Sequence, residues 1–354
     1  MAKILVKGGR VWDGEKFFFA DVLTKDKLIE KIEPNITDTA DYYYNAEGKI
    51  VSSGLVDIHV HLKGLASPMF GIGAEISSFP FGVTAVNDAG STQGDRALLD
   101  YLSVKNTVFV CASIRQNHAN FDAAEIGISK YGDKVIGIKA YFDKSEYVRD
   151  ITPIKEICTY ARQKNLKVMV HCTLSPTTMV DIVNALSEGD ILTHVFHGGD
   201  NSCLDNDFEA LKIAKEKGVI LDLGLAGNVH TDFFNFKKSV EAGFLPDVIS
   251  TDITCKSAFI RGGRYGMTMC MSIAKQVGMS EDEIFKRVTS AAAEALDKDS
   301  EWGYLKVGRM ADLAVFDYTN EPFDLTDKAG NQVKNDLGYK CILTVLDGQI
   351  IYKN

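Results

Sequence analysis

The chain has no surplus of positive charge: 48 Asp and Glu outnumber 39 Lys and Arg, for a formal net charge of -9. That balance argues against nucleic acid or an anionic membrane as partner, because both attract basic surfaces. No apolar run reaches the roughly 18 residues that a membrane span needs, and the opening MAKILVKGGRVWDG breaks into glycines before a signal-peptide core could form. No CxxC pair occurs. The seven cysteines, an odd number, are scattered from Cys111 to Cys341 without a regular disulfide framework, which suits reduced thiols. Low-complexity tracts, long linkers and internal repeats are also missing. The expectation is a cytoplasmic protein whose partner is a small molecule, with oligomeric state, including a homo-oligomer, left open.

What is present is enough apolar material, 45% of 354 residues, to fill a large core. Residues 1–52 hold short alternating runs such as ILVKGGRVW and DVLTKDKLIEKIE, broken by Gly, Asp and Asn, and residues 306–354 read the same way through ADLAVFDY and ILTVLDGQIIYKN. Such runs are small antiparallel strands. The two chain ends are therefore expected to build one small β-sandwich domain together. Between them, in residues 53–305, LVDIHVH, GVTAVND, TVFVCASI, VIGIKAYF, LKVMVHC, DILTHVF, GVILDLG and PDVIST alternate with helix-like segments such as SPTTMVDIVNALSEG and DFEALKIAKEKG. That βαβα order belongs to an α/β protein with a parallel sheet, and eight units in about 250 residues match a (β/α)8 TIM-like barrel. An open doubly wound sheet is the alternative, although no GxGxxG follows the first strand.

In a barrel the chemistry sits at the C-terminal ends of the strands. GLVDIHVHL places His59 and His61 on one face of strand one, with Asp57 on the same side. Lys139 ends strand four in VIGIKAY, His171 strand five, His194 and His197 strand six, and Asp252 strand eight in ISTDIT. Each has a plainer reading. His171 alone suits a hydrogen-bonded core histidine, Asp252 suits a helix cap, and His194 with His197 suits one helical turn. Lys139 either snorkels to solvent or carries a large desolvation cost that strips its proton. Taken together at one rim, imidazoles and a carboxylate suit zinc or a similar divalent ion, and a neutral lysine amine can take up carbon dioxide as a carbamate. His118 and His230 fall elsewhere, in loops.

This arrangement resembles the amidohydrolase superfamily, in its binuclear, carboxylated-lysine branch. GLVDIHVHL is similar to the superfamily's first-strand motif, and GYLKVGRMADLAVFDY with VLDGQIIY to its closing β segment, so the likeness covers nearly the whole chain. DAGS, GIKAY, THVFHG and GFLPDVISTDIT resemble bacterial metallohydrolases called dihydroorotase-like or adenine deaminase-like, some of which are deacetylases. The resemblance implies two divalent metal ions, zinc first among them. His59, His61 and Asp252 would hold one, His171 and His194 the other, and carboxylated Lys139 would bridge both. A metal-bridging hydroxide would attack the substrate carbonyl, with Asp252 as the catalytic proton carrier.

Three departures bear on the substrate. LDLGLAGN puts Leu225 where the related group has a Gly-His-Gly type turn, and His197 stands where an asparagine is expected, which makes it a support behind the ligands or a substrate contact and not a ligand. Lys63 replaces the arginine of the dihydroorotase HxHxR pattern and gives charge without the planar fork. Arg261 and Arg264, around two glycines, are candidates to clamp a carboxylate. The resulting expectation is a metal-dependent hydrolase cleaving an amide or ester bond of a small acylated, carboxylate-bearing molecule, deacetylase-like. A cyclic amidase or nucleobase deaminase is the alternative enzyme, and a catalytically inactive binding barrel the alternative outside enzymes.

Overall fold

The computed structural model describes residues 3–67, 70–91, 93–145, 147–227, 229–260, 264–322, 325–334 and 336–354. The N-terminal strands are β1 (Ile4–Trp12), β2 (Phe17–Lys25), β3 (Leu28–Glu33), β4 (Tyr42–Asn45) and β5 (Ile50–Ser53). The central ones are β6 (Leu55–Val60), β7 (Val83–Ser91), β8 (Lys105–Arg115), β9 (His118–Asn120), β10 (Val135–Tyr141), β11 (Lys167–His171), β12 (Ile191–Thr193) and β13 (Ile220–Asp222). The chain closes on β14 (Leu313–Thr319), β15 (Gly338–Leu346) and β16 (Gln349–Lys353).

The central sheet runs β13-β12-β11-β10-β8-β7-β6, with β9 folded back on β8. Apart from that hairpin every pairing is parallel. Each strand lies beside its predecessor, with no reversal of the kind a doubly wound sheet requires. The strands are apolar on both faces because both are covered, as in β6, where all six residues are buried. Helices do the covering: Thr152–Gln163 turns Ile154, Ile157, Cys158 and Ala161 inward at helical spacing. SPTTMVDIVNALSEG supplies the helix Met179–Ala185, started by a reciprocal capping box between Thr178 and Asp181.

The expected eighth strand, PDVIST, is not a regular strand. The segment 247–253 still bonds on both sides: Val248 and Ser250 accept through their carbonyls from Leu223 (3.0 Å) and Leu225 (3.2 Å), Asp252 N donates to His59 O (2.8 Å), and Ile253 O accepts from His61 N (3.1 Å). Regularity fails because Pro246 brings no N–H and Asp252 turns to a φ of +48°.

Both chain ends do meet, in one sheet ordered β16-β15-β14-β5-β1-β2-β3 with β4 beside β1. Hydrogen bonding makes it continuous from the strands of one chain end to those of the other, through β5 and β14. One apolar cluster includes Ile4, Val6, Val11, Val51, Leu313 and Leu343, while Leu5, Leu23 and Ile36 form another. Trp12 joins it to the central body, donating from Nε1 to Thr289 Oγ1 at 2.9 Å. Among the described residues no helix is long and apolar enough to cross a membrane.

Candidate metal centre

The C-terminal ends of the central strands deliver their polar side chains to one place. His59 lies near the end of β6, its side chain 1% exposed, and its Nε2 is 3.0 Å from Lys139 Nζ and 3.4 Å from Asp252 Oδ1. His61, one residue past the strand, brings Nε2 to 2.9 Å from the same oxygen. His194 follows β12 with a φ of +63° and points Nε2 at Asp252 Oδ2, 3.8 Å away. His171 ends β11, its ring centroid 4.6 Å from that of His194. The four expected histidine ligands thus gather around Asp252 or its immediate neighbours, and Lys139 reaches the group through His59.

Hydrogen bonds behind the rings fix their tautomers. His194 Nδ1 is 2.7 Å from the Gly224 carbonyl oxygen, which only accepts, so Nδ1 carries the proton and Nε2 keeps a bare lone pair. His59 Nδ1 faces Thr193 Oγ1 at 3.1 Å and Asp222 Oδ2 at 3.4 Å. Thr193 itself donates to Asp222 at 2.7 Å, so its oxygen accepts from His59 and the lone pair again falls on Nε2. A carboxylate behind an imidazole is the usual backing of a metal-bound histidine. Asp222, fully buried, also accepts from Ser250 at 2.6 Å. It was not singled out in the sequence.

The electrostatics suit a cation. Burial pushes His59 down to about 4, with the Lys139 ammonium adding to it, and burial lowers His171 and His194 as well. These rings are neutral at pH 7, the state a metal requires. Burial opposes ionisation of Asp252, yet His59, His61 and His230 outweigh it and hold the carboxyl well below its usual range. Burial brings Lys139 down to about 8. Asp252 Oδ1, buried, makes no well-formed hydrogen bond despite near neighbours, while His171 Nε2 lies 3.1 Å from Asp143 Oδ1. The Nε2 lone pairs of His59 and His194 and the Asp252 carboxylate, gathered beside the single charge of Lys139, form a nitrogen and oxygen donor set that fits a divalent metal.

The structure also brings in a residue that sequence reasoning placed elsewhere. His230, from the loop after β13, has its ring centroid 4.1 Å from His194 and 5.0 Å from His171. Donor atoms of His171, His194 and His230 lie within 4.8 Å of one another, as do those of His59, His194 and Asp252. No periodic pattern marks the stretch around His230, which is why it read as an ordinary loop. His118 does stay apart, exposed and paired with Glu156 at 2.7 Å.

The remaining candidates are less central. His197 is buried, accepts at Nδ1 from Gly199 N (3.1 Å) and leaves Nε2 without a partner. Burial, with His171 nearby, presses it to about 4. Lys63 and Arg264 are exposed, and neither joins the ion-paired set around Asp252 among the described residues. Arg261 lies outside the described residues. Asp57 does not face the centre: it accepts from Thr251 Oγ1 (2.6 Å) and Thr251 N (3.1 Å), and so ties β6 to the segment that carries Asp252. A cavity of about 260 Å³ opens beside His230, lined by Thr173, Leu174, Gly198, Gly199 and Asp232. A larger one, about 590 Å³, lies at the other end of the strands around Val219, Ile220 and Phe244 and contains no histidine.

Comparison with known proteins agrees with this geometry. A deacetylase of Enterococcus faecalis is 29% identical over 98% of both chains, and a deacetylase of Agrobacterium fabrum 26% identical over 81% of this chain and 75% of its own. The crystal structure of an adenine deaminase superposes with a TM-score of 0.84 at 26% identity, covering 99% of each chain. That of a dihydroorotase, at 23% identity, 100% and 98% coverage and a TM-score of 0.85, shares the fold. Residues 50–351 match the model of the amidohydrolase family, from the strand before the paired histidines to the last strand of the chain, and the protein accordingly belongs to that family of metal-dependent hydrolases.

Proposed function

We propose that the protein hydrolyses an amide or ester bond of a small acylated, carboxylate-bearing molecule, in a deacetylase-like reaction. The observation that carries this reading is the convergence of the His59, His61, His194 and His230 imidazoles on the buried carboxylate of Asp252. His59, His61 and Asp252 would hold one divalent ion and His171 with His194 a second, zinc being the ion that best suits imidazole and carboxylate donors. Bound there, such ions supply Lewis acidity and bring the pKa of water towards about 7.

The protein's own groups do the rest. Lys139, at about 8, is partly neutral at physiological pH. A carbamate formed there, by addition of the amine to carbon dioxide with the C=O π pair moving onto oxygen and one proton leaving the nitrogen, would supply two oxygen donors and a negative charge. Asp252 receives a proton from the attacking water at Oδ2, the oxygen facing His194 and His230 at 3.8 Å, and returns it to the leaving nitrogen or oxygen. Asp222, Thr193 and Gly224 hold the rings so that no reorientation is needed during turnover. The cavity beside Thr173 and His230 is sized for a small acyl compound. The bonding of 247–253 to both edges of the central sheet supports a closed (β/α)8 barrel with this centre at its mouth. Seven unpaired cysteines suit a reducing, cytoplasmic setting.

Full-length likeness to deacetylases favours this chemistry. The adenine deaminase likeness keeps ring deamination as the second reading, since the same centre attacks an amidine carbon. Purified protein, made with ample zinc and bicarbonate, should be assayed against N-acetyl amino acids and O-acetyl hydroxy acids, dihydroorotate and adenine. Acetate release is the expected result. Ammonia from adenine, or ring opening of dihydroorotate without acetate release, would replace it with the second reading, and protein that takes up no metal would overturn both.

A further inference from the structure

We propose that His230 is a metal ligand, the third imidazole of a site completed by His171 and His194. The inference rests on the metal-dependent reading above. Without His230, that side of the centre has two protein donors and depends on a modified lysine for a third. Lys139 does not reach it directly: its Nζ contacts His59 Nε2 at 3.0 Å and Met169 Sδ at 3.3 Å. Three protein donors with one open position are the usual make-up of a catalytic zinc site.

The geometry of His230 is that of a ligand already in place. Its Nδ1 is hydrogen-bonded to Thr173 Oγ1 at 3.0 Å, so Nε2 is the ring nitrogen left facing Asp252. That atom lies 3.8 Å from Asp252 Oδ2, the same distance as His194 Nε2 from the same oxygen. The ring is edge-on to His171, with an interplanar angle of 85°, and tilted by 34° to His194. Its loop is anchored just past the ring. Thr231 bridges to His197, Asp232 N donates to Phe196 O at 2.9 Å, and the Asp232 carboxylate caps the helix Phe233–Glu241 through Phe234 N and Asn235 N. A ring so held loses little freedom on binding an ion. A metal on three imidazoles should then be retained even when Lys139 is unmodified.

The test is a zinc titration in metal-buffered solution, with cobalt(II) as a spectroscopic probe, on the wild-type protein, His230→Ala, His230→Asp and Lys139→Met. Two equivalents are expected for the wild type. His230→Ala should weaken one of them at least tenfold and shift the visible cobalt bands, His230→Asp should restore most of that affinity, and Lys139→Met should keep one equivalent. Unchanged affinities and an unchanged cobalt spectrum in His230→Ala would overturn the proposal while leaving the wild-type metal centre intact. A wild type that binds no metal would remove the underlying reading as well. Should His230→Ala fail to fold by circular dichroism, His230→Asp decides: a cobalt spectrum identical to wild type counts against a ligand at this position.

Discussion

His194 donates a hydrogen bond from Nδ1 to the carbonyl of Gly224 at 2.7 Å, and Gly224 has no room for a side chain. A Cβ there would stand 2.6 Å from that same Nδ1 and 2.4 Å from Thr193 Oγ1, on a residue whose φ is +50°. Gly224→Ala is therefore expected to displace two rings at once, His194 directly and His59 through Thr193. Loss of about 1–3 kcal/mol of stability should accompany weaker metal binding, read by thermal melting with and without added zinc. A variant as stable and as metal-loaded as wild type would show that the contact does not position the ring.

Removing the metal tests the centre as a whole. Dialysis against a strong chelator should abolish turnover and lower the melting temperature, and zinc should restore both. At a hundredfold excess over the dissociation constant the ion adds about 2.7 kcal/mol per site. Full activity in metal-free protein would refute the proposed chemistry.

Asp252→Asn keeps a donor oxygen but cannot accept a proton at neutral pH. It should retain part of its metal while turnover falls by about 10²–10⁴-fold. Elemental analysis alongside steady-state rates separates the two effects, and a rate near wild type would show that the proton travels another way.

Asp222→Asn addresses the layer behind the centre. Changes of this kind cost about 10–100-fold in metal affinity, so competition with a chromophoric chelator should register a loss in that range. Equal affinity would mean that Thr193 alone fixes the His59 tautomer.

The pH dependence of stability is best read at Asp312, far from the histidines. Burial raises its pKa although Lys105 lies against it. A carboxyl whose pKa is higher folded than unfolded is a cost when ionised, and that cost fades as pH falls towards the ordinary carboxylate range. Lys105→Met should lose about 3–5 kcal/mol at neutral pH and recover part of it near pH 4–5. Denaturant melts at the two pH values give the comparison, and an equal deficit at both would show that Asp312 is not the group responsible.

Much of the fold could be read from the sequence, because parallel strands covered on both faces appear as short apolar runs, and seven of the eight expected runs became regular strands. The eighth escaped since its pairing is made by scattered bonds around Pro246 and the positive φ of Asp252. His59, His61, Lys139, His171, His194 and Asp252 were legible for the same reason, each being a polar residue at the end of an apolar run. Asp222 has that position too, but a carboxylate closing VILD looks like any strand-ending acid until Thr193, Ser250 and His59 are seen around it. His230 offered no such signal. Its place depends on how a loop returns to the strand ends, guided by Asp232 and Phe196, and nothing local in VHTDFF encodes that path.

β5 pairs with β14, Ser53 opposite Leu313. During synthesis the edge of β5 therefore waits for a partner some 260 residues downstream. At about 5–20 residues per second, that is a delay of roughly tens of seconds. Over this interval an apolar strand carrying Ile50 and Val51 is open to pairing with the wrong chain. Nonsense mutations or proteolysis that remove everything from Leu313 onward would leave that edge bare for good, so such truncated chains should aggregate even though every residue converging on Asp252 is still present.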